Sequence, residues 1–193
     1  RFGLFFPEKR RFFLQDTDIF EFGRIGGNTW DNNPATTQAT RQNARPFFSR
    51  KLGLSNNGQP VDLKFGGKLS GRIGRWSLGS LLIRQAEFED VDASNIFVSR
   101  ASASVLDESA IGIIVTNGDP RSNLSNSLVG LDFRYLNTRL PGGHTLEADA
   151  WLQQSNTEGV DGDEHAFGIN VQIPNKSGLR GGITLKEIGR NFN

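Results

Sequence analysis

The chain has 193 residues and a formal charge of +1, enough length for one domain with a sizeable core and no electrostatic support for a nucleic-acid partner. Cysteine is absent, which excludes a disulfide framework and a thiolate metal site. Hydrophobic residues make up 36%, low for a compact soluble protein, and charged residues 22%, too few for a disordered polyelectrolyte. The 23 glycines and 15 phenylalanines suit a β-protein with many turns and aromatic anchors. No run approaches the ~18 apolar residues of a transmembrane helix, whereas a transmembrane strand leaves a much weaker pattern. The chain opens on Arg1 and contains no methionine, so it is expected to be an internal piece of a longer protein.

Residues 1–63 read as an irregular N-terminal segment. It opens with "FFPEKRRFFL" (Phe5 to Leu14). Pro7 suits a first helical position and Glu8 the positive end of the helix dipole, so a short helix is expected near 7–14. A polar stretch over 26–45 reads as an exposed loop, and "PFFSRKLGL" (46–54) as a short strand followed by the turn-rich "SNNGQP".

From Lys64 to the end, about eight segments of roughly ten residues alternate with period two. Val129, Leu131, Phe133 and Tyr135 share one face against Leu128, Gly130, Asp132 and Arg134. Leu146, Ala148, Ala150 and Leu152 oppose Glu147, Asp149, Trp151 and Gln153; Phe167, Ile169, Val171 and Ile173 oppose Ala166, Gly168, Asn170 and Gln172. Residues 64–193 therefore read as an antiparallel up-and-down β-meander. Its connections alternate in length. Those at 74–75, 106–108, 139–143 and 174–177 are short; those at 87–93, 119–125 and 156–163 are longer. Outer-membrane barrels sort their loops in this way, and a tilted strand of about 9–11 residues spans a bilayer. The expected fold is all-β, part of a transmembrane outer-membrane β-barrel. The alternative is a soluble β-sandwich that binds or hydrolyses glycans, since alternation also marks a half-buried soluble sheet.

The motifs "LFFPEKRRFFLQDTDIFEFG", "PFFSRKLGL", "GGKLSGRIGRWSLG" and "EIGRNFN" together resemble a bacterial outer-membrane family catalogued as domain of unknown function 5916. Phe6 to Arg10, Phe12 to Leu14 and Asp18 to Phe20 match the family's signature run. Arg11 stands where that run has proline, and Gln15 and Asp16 depart from it. The resemblance runs from residue 2 to residue 193. It implies a C-terminal β-barrel domain in the bacterial outer membrane, preceded by a family-9-type carbohydrate-binding domain upstream of this chain and continued by further strands. The implied partners are outer-membrane lipid and, through the upstream domain, carbohydrate. The family brings no catalytic residues and no cofactor.

Candidate binding residues are the lumenal charges. Lys9, Arg10 and Arg11 are expected to face the carboxylates Asp132, Glu147 and Asp149, which at mid-strand need water or cationic partners, and Arg134 is a further lumenal charge. Glu147 and Asp149, two apart on one strand, have the spacing of a glycosidase pair but read better as rungs of a charge ladder. The carboxylates of "EGVDGDEH" (158–165) lack the spacing of a calcium loop, and His144 and His165 have no evident partner. No catalytic residue, metal ligand or cofactor is assigned, and the region is read as non-enzymatic.

Overall fold

Alternation sustained over nine to fifteen residues favours strands, and short links between them favour antiparallel neighbours. The computed structural model describes residues 17–23, 44–47, 49, 52–175 and 178–193. It has eight strands: β1 (Leu63–Ile73), β2 (Trp76–Gln85), β3 (Ser94–Val105), β4 (Ser109–Asn117), β5 (Asn126–Leu140), β6 (His144–Thr157), β7 (His165–Ile173) and β8 (Gly181–Ile188). They form one antiparallel sheet in sequence order, an up-and-down meander. The one helical element among the described residues is a 3-10 turn at Thr17–Phe20. The chain is therefore all-β. β1 and β8 are the two edges and do not pair with each other.

Register carries the alternation intact from strand to strand. Leu81 opposes Val98, Val98 opposes Thr116, Thr116 opposes Leu128 and Leu128 opposes Ser155. On the other face Val115 opposes Val129, Leu131 opposes Leu152 and Ala150 opposes Ile169. A one-residue slip at any hairpin would exchange the faces of every strand beyond it. The tightest link leaves only Gly74 and Arg75 between the paired Ile73 and Trp76. Two-residue hairpin turns need positive φ, and Gly74 supplies it at 59°.

Connection parity follows from the meander. The longer links are tied together at one end of the sheet: Asp92 N–H donates to Asn123 Oδ1 at 2.8 Å, and Glu158 N–H to the Ser125 carbonyl at 2.9 Å. The links at 74–75, 106–108 and 141–143 lie at the other end and are short, but the fourth there, expected at 174–177, is corrected: it runs over 174–180, as long as the 158–164 link, because β8 starts only at Gly181. Thr138 Oγ1 donates to Glu108 Oε1 at 2.6 Å, and Thr145 N–H to Asn175 Oδ1 at 3.1 Å. The Thr138 hydroxyl bond, then its backbone N–H bond, hold the exposed Glu108 carboxyl below its usual range.

The sheet has one covered and one open face. Leu81, Ile83, Ile96, Val98, Ile114, Leu128 and Ala166 are buried on the covered face. They form a cluster with Phe22, Ala44, Leu52 and Phe192, flanked by Phe20, Phe47 and Trp151. Residues before β1 thus supply the lid of the core. Two inward glycines make the close approach possible. A Cβ at Gly79 would lie 2.7 Å from Ile19 Cγ2, and one at Gly130 would lie 2.8 Å from Phe22 Cζ.

Of the N-terminal segment only parts lie among the described residues. No strand forms among the described residues of 46–54; they make turns and one isolated bridge, Leu54 to Pro60. Pro46 has no N–H to give, Gly53 is at φ 72°, and the Gly53 N–H is taken by the Gln85 side chain at 3.0 Å. Ala44 is buried at 1% exposure in the core cluster, and Gln153 Nε2 donates to its carbonyl at 2.6 Å. The helix expected near 7–14, the loop over 26–43 and Lys9, Arg10 and Arg11 lie outside the described residues.

Gly130→Ala tests the docking of the lid on the sheet. Overpacking of this kind costs about 1–3 kcal/mol, read as a lowered unfolding midpoint of the detergent-solubilised chain. Phe22→Leu in the same background should recover part of the loss, and strict additivity of the two changes would contradict the contact.

Candidate functional site

The covered face is not wholly apolar, and its charges fall where alternation puts them. Asp132, on β5, shares its face with Leu128 and Gly130. Arg100, on β3, shares its face with Ile96 and Val98 and is 4% exposed. Arg100 grips Asp132 through two parallel bonds, Nη1 to Oδ1 at 2.5 Å and Nη2 to Oδ2 at 2.9 Å. Gly112 lies between them on β4, opposite Asp132. A Cβ there would lie 2.5 Å from the Arg100 guanidinium nitrogens, so the missing side chain gives the fork its path across the strand. Asp132 Oδ2 also accepts the Gly23 N–H at 3.1 Å, and the Arg100 guanidinium sits 5.4 Å from the Phe22 ring centroid. Sheet and lid therefore share one electrostatic node. Arg100 Nε remains buried without an acceptor.

Glu147 and Asp149, further along the same face on β6, meet side-chain amides. Glu147 Oε2 accepts from Gln172 Nε2 at 2.7 Å. Asp149, 6% exposed, accepts from Asn170 Nδ2 at 3.4 Å. Asn170 in turn accepts from Thr184 Oγ1 at 2.8 Å. The two carboxylates are thus rungs of an amide and hydroxyl ladder across β6, β7 and β8. Arg134 is in register with Asp149 but exposed, beyond the part of the face that the lid covers. Sequence reasoning missed Arg100 as the partner of Asp132. The available signal was its period-two spacing from Ile96 and Val98, an arginine on an otherwise apolar face.

In the loop after β6, Glu164 Oε1 accepts the Thr157 N–H at 2.9 Å, and Asp163 lies 3.7 Å from Arg190. His165 faces Glu187 at 3.4 Å. His144 Nδ1 meets Asn175 Nδ2 at 2.5 Å.

The open face is the larger feature. Every strand contributes exposed large apolar side chains: Leu69 and Ile73 from β1, Leu78 and Leu82 from β2, Phe97 from β3, Ile111 and Ile113 from β4, Val129 and Leu131 from β5, Leu152 from β6, Ile169 and Val171 from β7, and Ile183 and Leu185 from β8. Leu146, Ala148 and Ala150 lie on the same face and are partly buried. Seven inter-strand spacings of about 4.8 Å make this band about 34 Å wide. Aromatic rings on it sit toward both strand ends, with Trp76 beside the short turn and Phe97 near the longer connections. A soluble monomer rarely exposes a contiguous apolar patch beyond a few hundred Å².

Comparison of the chain with protein-family models, with curated proteins and with solved structures found no match.

The node yields a sharp test. Asp132→Ala strands a buried guanidinium and removes an anchor of the lid, so a loss of about 3–5 kcal/mol is expected in chemical unfolding. The double change Arg100→Met with Asp132→Leu should be far milder, because no buried charge is left unpaired. Arg134→Gln, at the exposed end, should stay within about 0.5 kcal/mol of the parent.

Proposed function

We propose that this chain is part of a bacterial outer-membrane β-barrel of the family it resembles, domain of unknown function 5916, non-enzymatic in this region. Its open face meets outer-membrane lipid, and it anchors or serves a carbohydrate-binding module in glycan capture or uptake. The observation that carries this reading is the inversion of the sheet: a continuous apolar band faces outward across all eight strands, while an ion pair, carboxylates and amides lie on the covered side. In water that band costs free energy of transfer across its whole area; against acyl chains it costs none. Three of the four links at one end are short and all three at the other are longer, with the link after β7 the exception; this supports the same reading, as do rings toward both strand ends.

The reading makes a demand on the edges. A bilayer core offers no water to unpaired backbone groups, so only closed barrels span it as sheets. Among the described residues β1 and β8 each have one strand neighbour, so on this reading their outer sides pair with strands beyond those described. No cofactor takes part.

Two outcomes check the proposal. The chain should need detergent to stay in solution, and Leu131→Arg should cost about 2–4 kcal/mol if it sits near the bilayer midplane, with Asp149→Asn costing much less. Full solubility in plain buffer would favour the glycan-active sandwich instead. Protease added to intact cells should nick near Asp119–Ser125 or Glu158–Asp163, the end where outer-membrane barrels carry their longer loops, and should spare the link after β7. Cleavage only after β7 would place the barrel upside down.

A further inference from the structure

Where the lid sits, the inner wall of the sheet is apolar. Leu81, Ile83, Val98, Ile114 and Leu128 are each at most 4% exposed. Beyond the lid's margin the same face is polar and open, with Thr184 and Lys186 of β8 both exposed. Outer-membrane barrels have polar interiors, which hold a water channel in some and a plug of loops or helix in others. An apolar inner wall suits only the second kind, because water against it costs the free energy of transfer of every side chain it bares.

The lid is fastened across that wall at several strands. Gly53 N–H donates to Gln85 Oε1 on β2 at 3.0 Å, Gly23 N–H to Asp132 Oδ2 on β5 at 3.1 Å, and Gln153 Nε2 on β6 to the Ala44 carbonyl at 2.6 Å. From β2 to β6 is four strand spacings, about 19 Å. The fit is also steric. A Cβ at Gly23 would lie 2.9 Å from Trp151 Cδ1, and Gly23 is held at φ 58°, where other residues are strained. Ile19 and Phe22 close over Gly79 and Gly130 in the same way.

We propose that the described residues before β1 are a fixed lumenal plug: with the open face against lipid, they stay seated on β2 to β6 inside the barrel and close that wall to water and solutes. The inference rests on the membrane reading, which alone makes the covered face a lumen, and it goes further by excluding an open diffusion pore along β2 to β5. Movement of the lid off the wall would bare Val98 and Ile114 to water. It would also strip the Arg100–Asp132 pair of its Gly23 and Phe22 contacts. The seated state is therefore the resting one.

The chain holds no cysteine, so single cysteines report where water reaches. Val98→Cys, Thr184→Cys and Leu131→Cys are compared in outer-membrane vesicles from cells making the protein, with the parent as blank and a small charged methanethiosulfonate as the probe. Val98 is under the lid, Thr184 on the same face outside it, and Leu131 on the open face. Thr184→Cys is expected to react at least tenfold faster than either of the others. Val98→Cys reacting within tenfold of Thr184→Cys would overturn the plug. Leu131→Cys reacting within tenfold of Thr184→Cys, with Val98→Cys still protected, would instead overturn the membrane reading and the plug with it. Ile114→Cys, as deeply buried on β4, repeats the measurement if Val98→Cys does not assemble.

Discussion

A guanidinium withdrawn from water must be paired, and the way Arg100 meets that requirement organises the covered half of the protein. Its one carboxylate partner, Asp132, lies two strands away. The bridge therefore crosses β4 at Gly112, where any side chain would block it. Asp132 then has a lone pair left for the Gly23 N–H, and the cation turns its charge to the Phe22 ring. Each contact narrows the next. Phe22 is fixed over Gly130, and the chain around it over the apolar patch of β2 to β5. A buried ion pair is weak evidence for net stability but good evidence for uniqueness when its breakage strands a charge. Here it selects one seating of the lid among many that hydrophobic contact alone would allow.

The sheet was legible in the sequence because its physics is local and periodic. Period-two alternation from Lys64 onward located the strands to within one or two residues except the start of β8, which falls three residues later than expected, and Val129, Leu131, Leu152, Ile169 and Val171 face as their spacing requires. Asp132 and Asp149 were likewise placed on the covered side. The lid was less legible because no periodicity marks it. "PFFSRKLGL" reads as a strand by composition, yet Gly53 is at φ 72° and its N–H is taken by the Gln85 side chain. Ala44 is buried and takes a bond from Gln153, 109 residues away, and nothing in its neighbours announces that. Arg100 illustrates the remaining gap. Alternation says which face a residue takes, but a partner two strands away depends on register, and register is a property of the whole sheet.

The two faces also divide the chemistry. The covered face mixes isoleucine and valine with a charge node and a ladder of amides and hydroxyls, each polar group needing its own geometry. The open face asks only for area. Substitution among Leu, Ile, Val and Phe there should be tolerated broadly, because these side chains stand exposed rather than enclosed in a packed core. Function that depends on recognition is therefore to be sought on the covered side and at the loop end, where the backbone is pinned by side-chain bonds.

The distance along the chain between lid and sheet sets an order in time. The meander is built from neighbours, each hairpin closing within a few tens of residues, and such local contacts form early. The bonds from Gly23 to Asp132 and from Gln153 to Ala44 each span 109 residues. Neither can form until β5 and β6 exist as paired strands, because Asp132 and Gln153 have no fixed position before then. The segment before β1 is therefore among the last to find its place, and until it does the inner glycines face an empty groove. A chain interrupted before β6 would have most of a sheet and would lack the Gln153 bond that holds that segment.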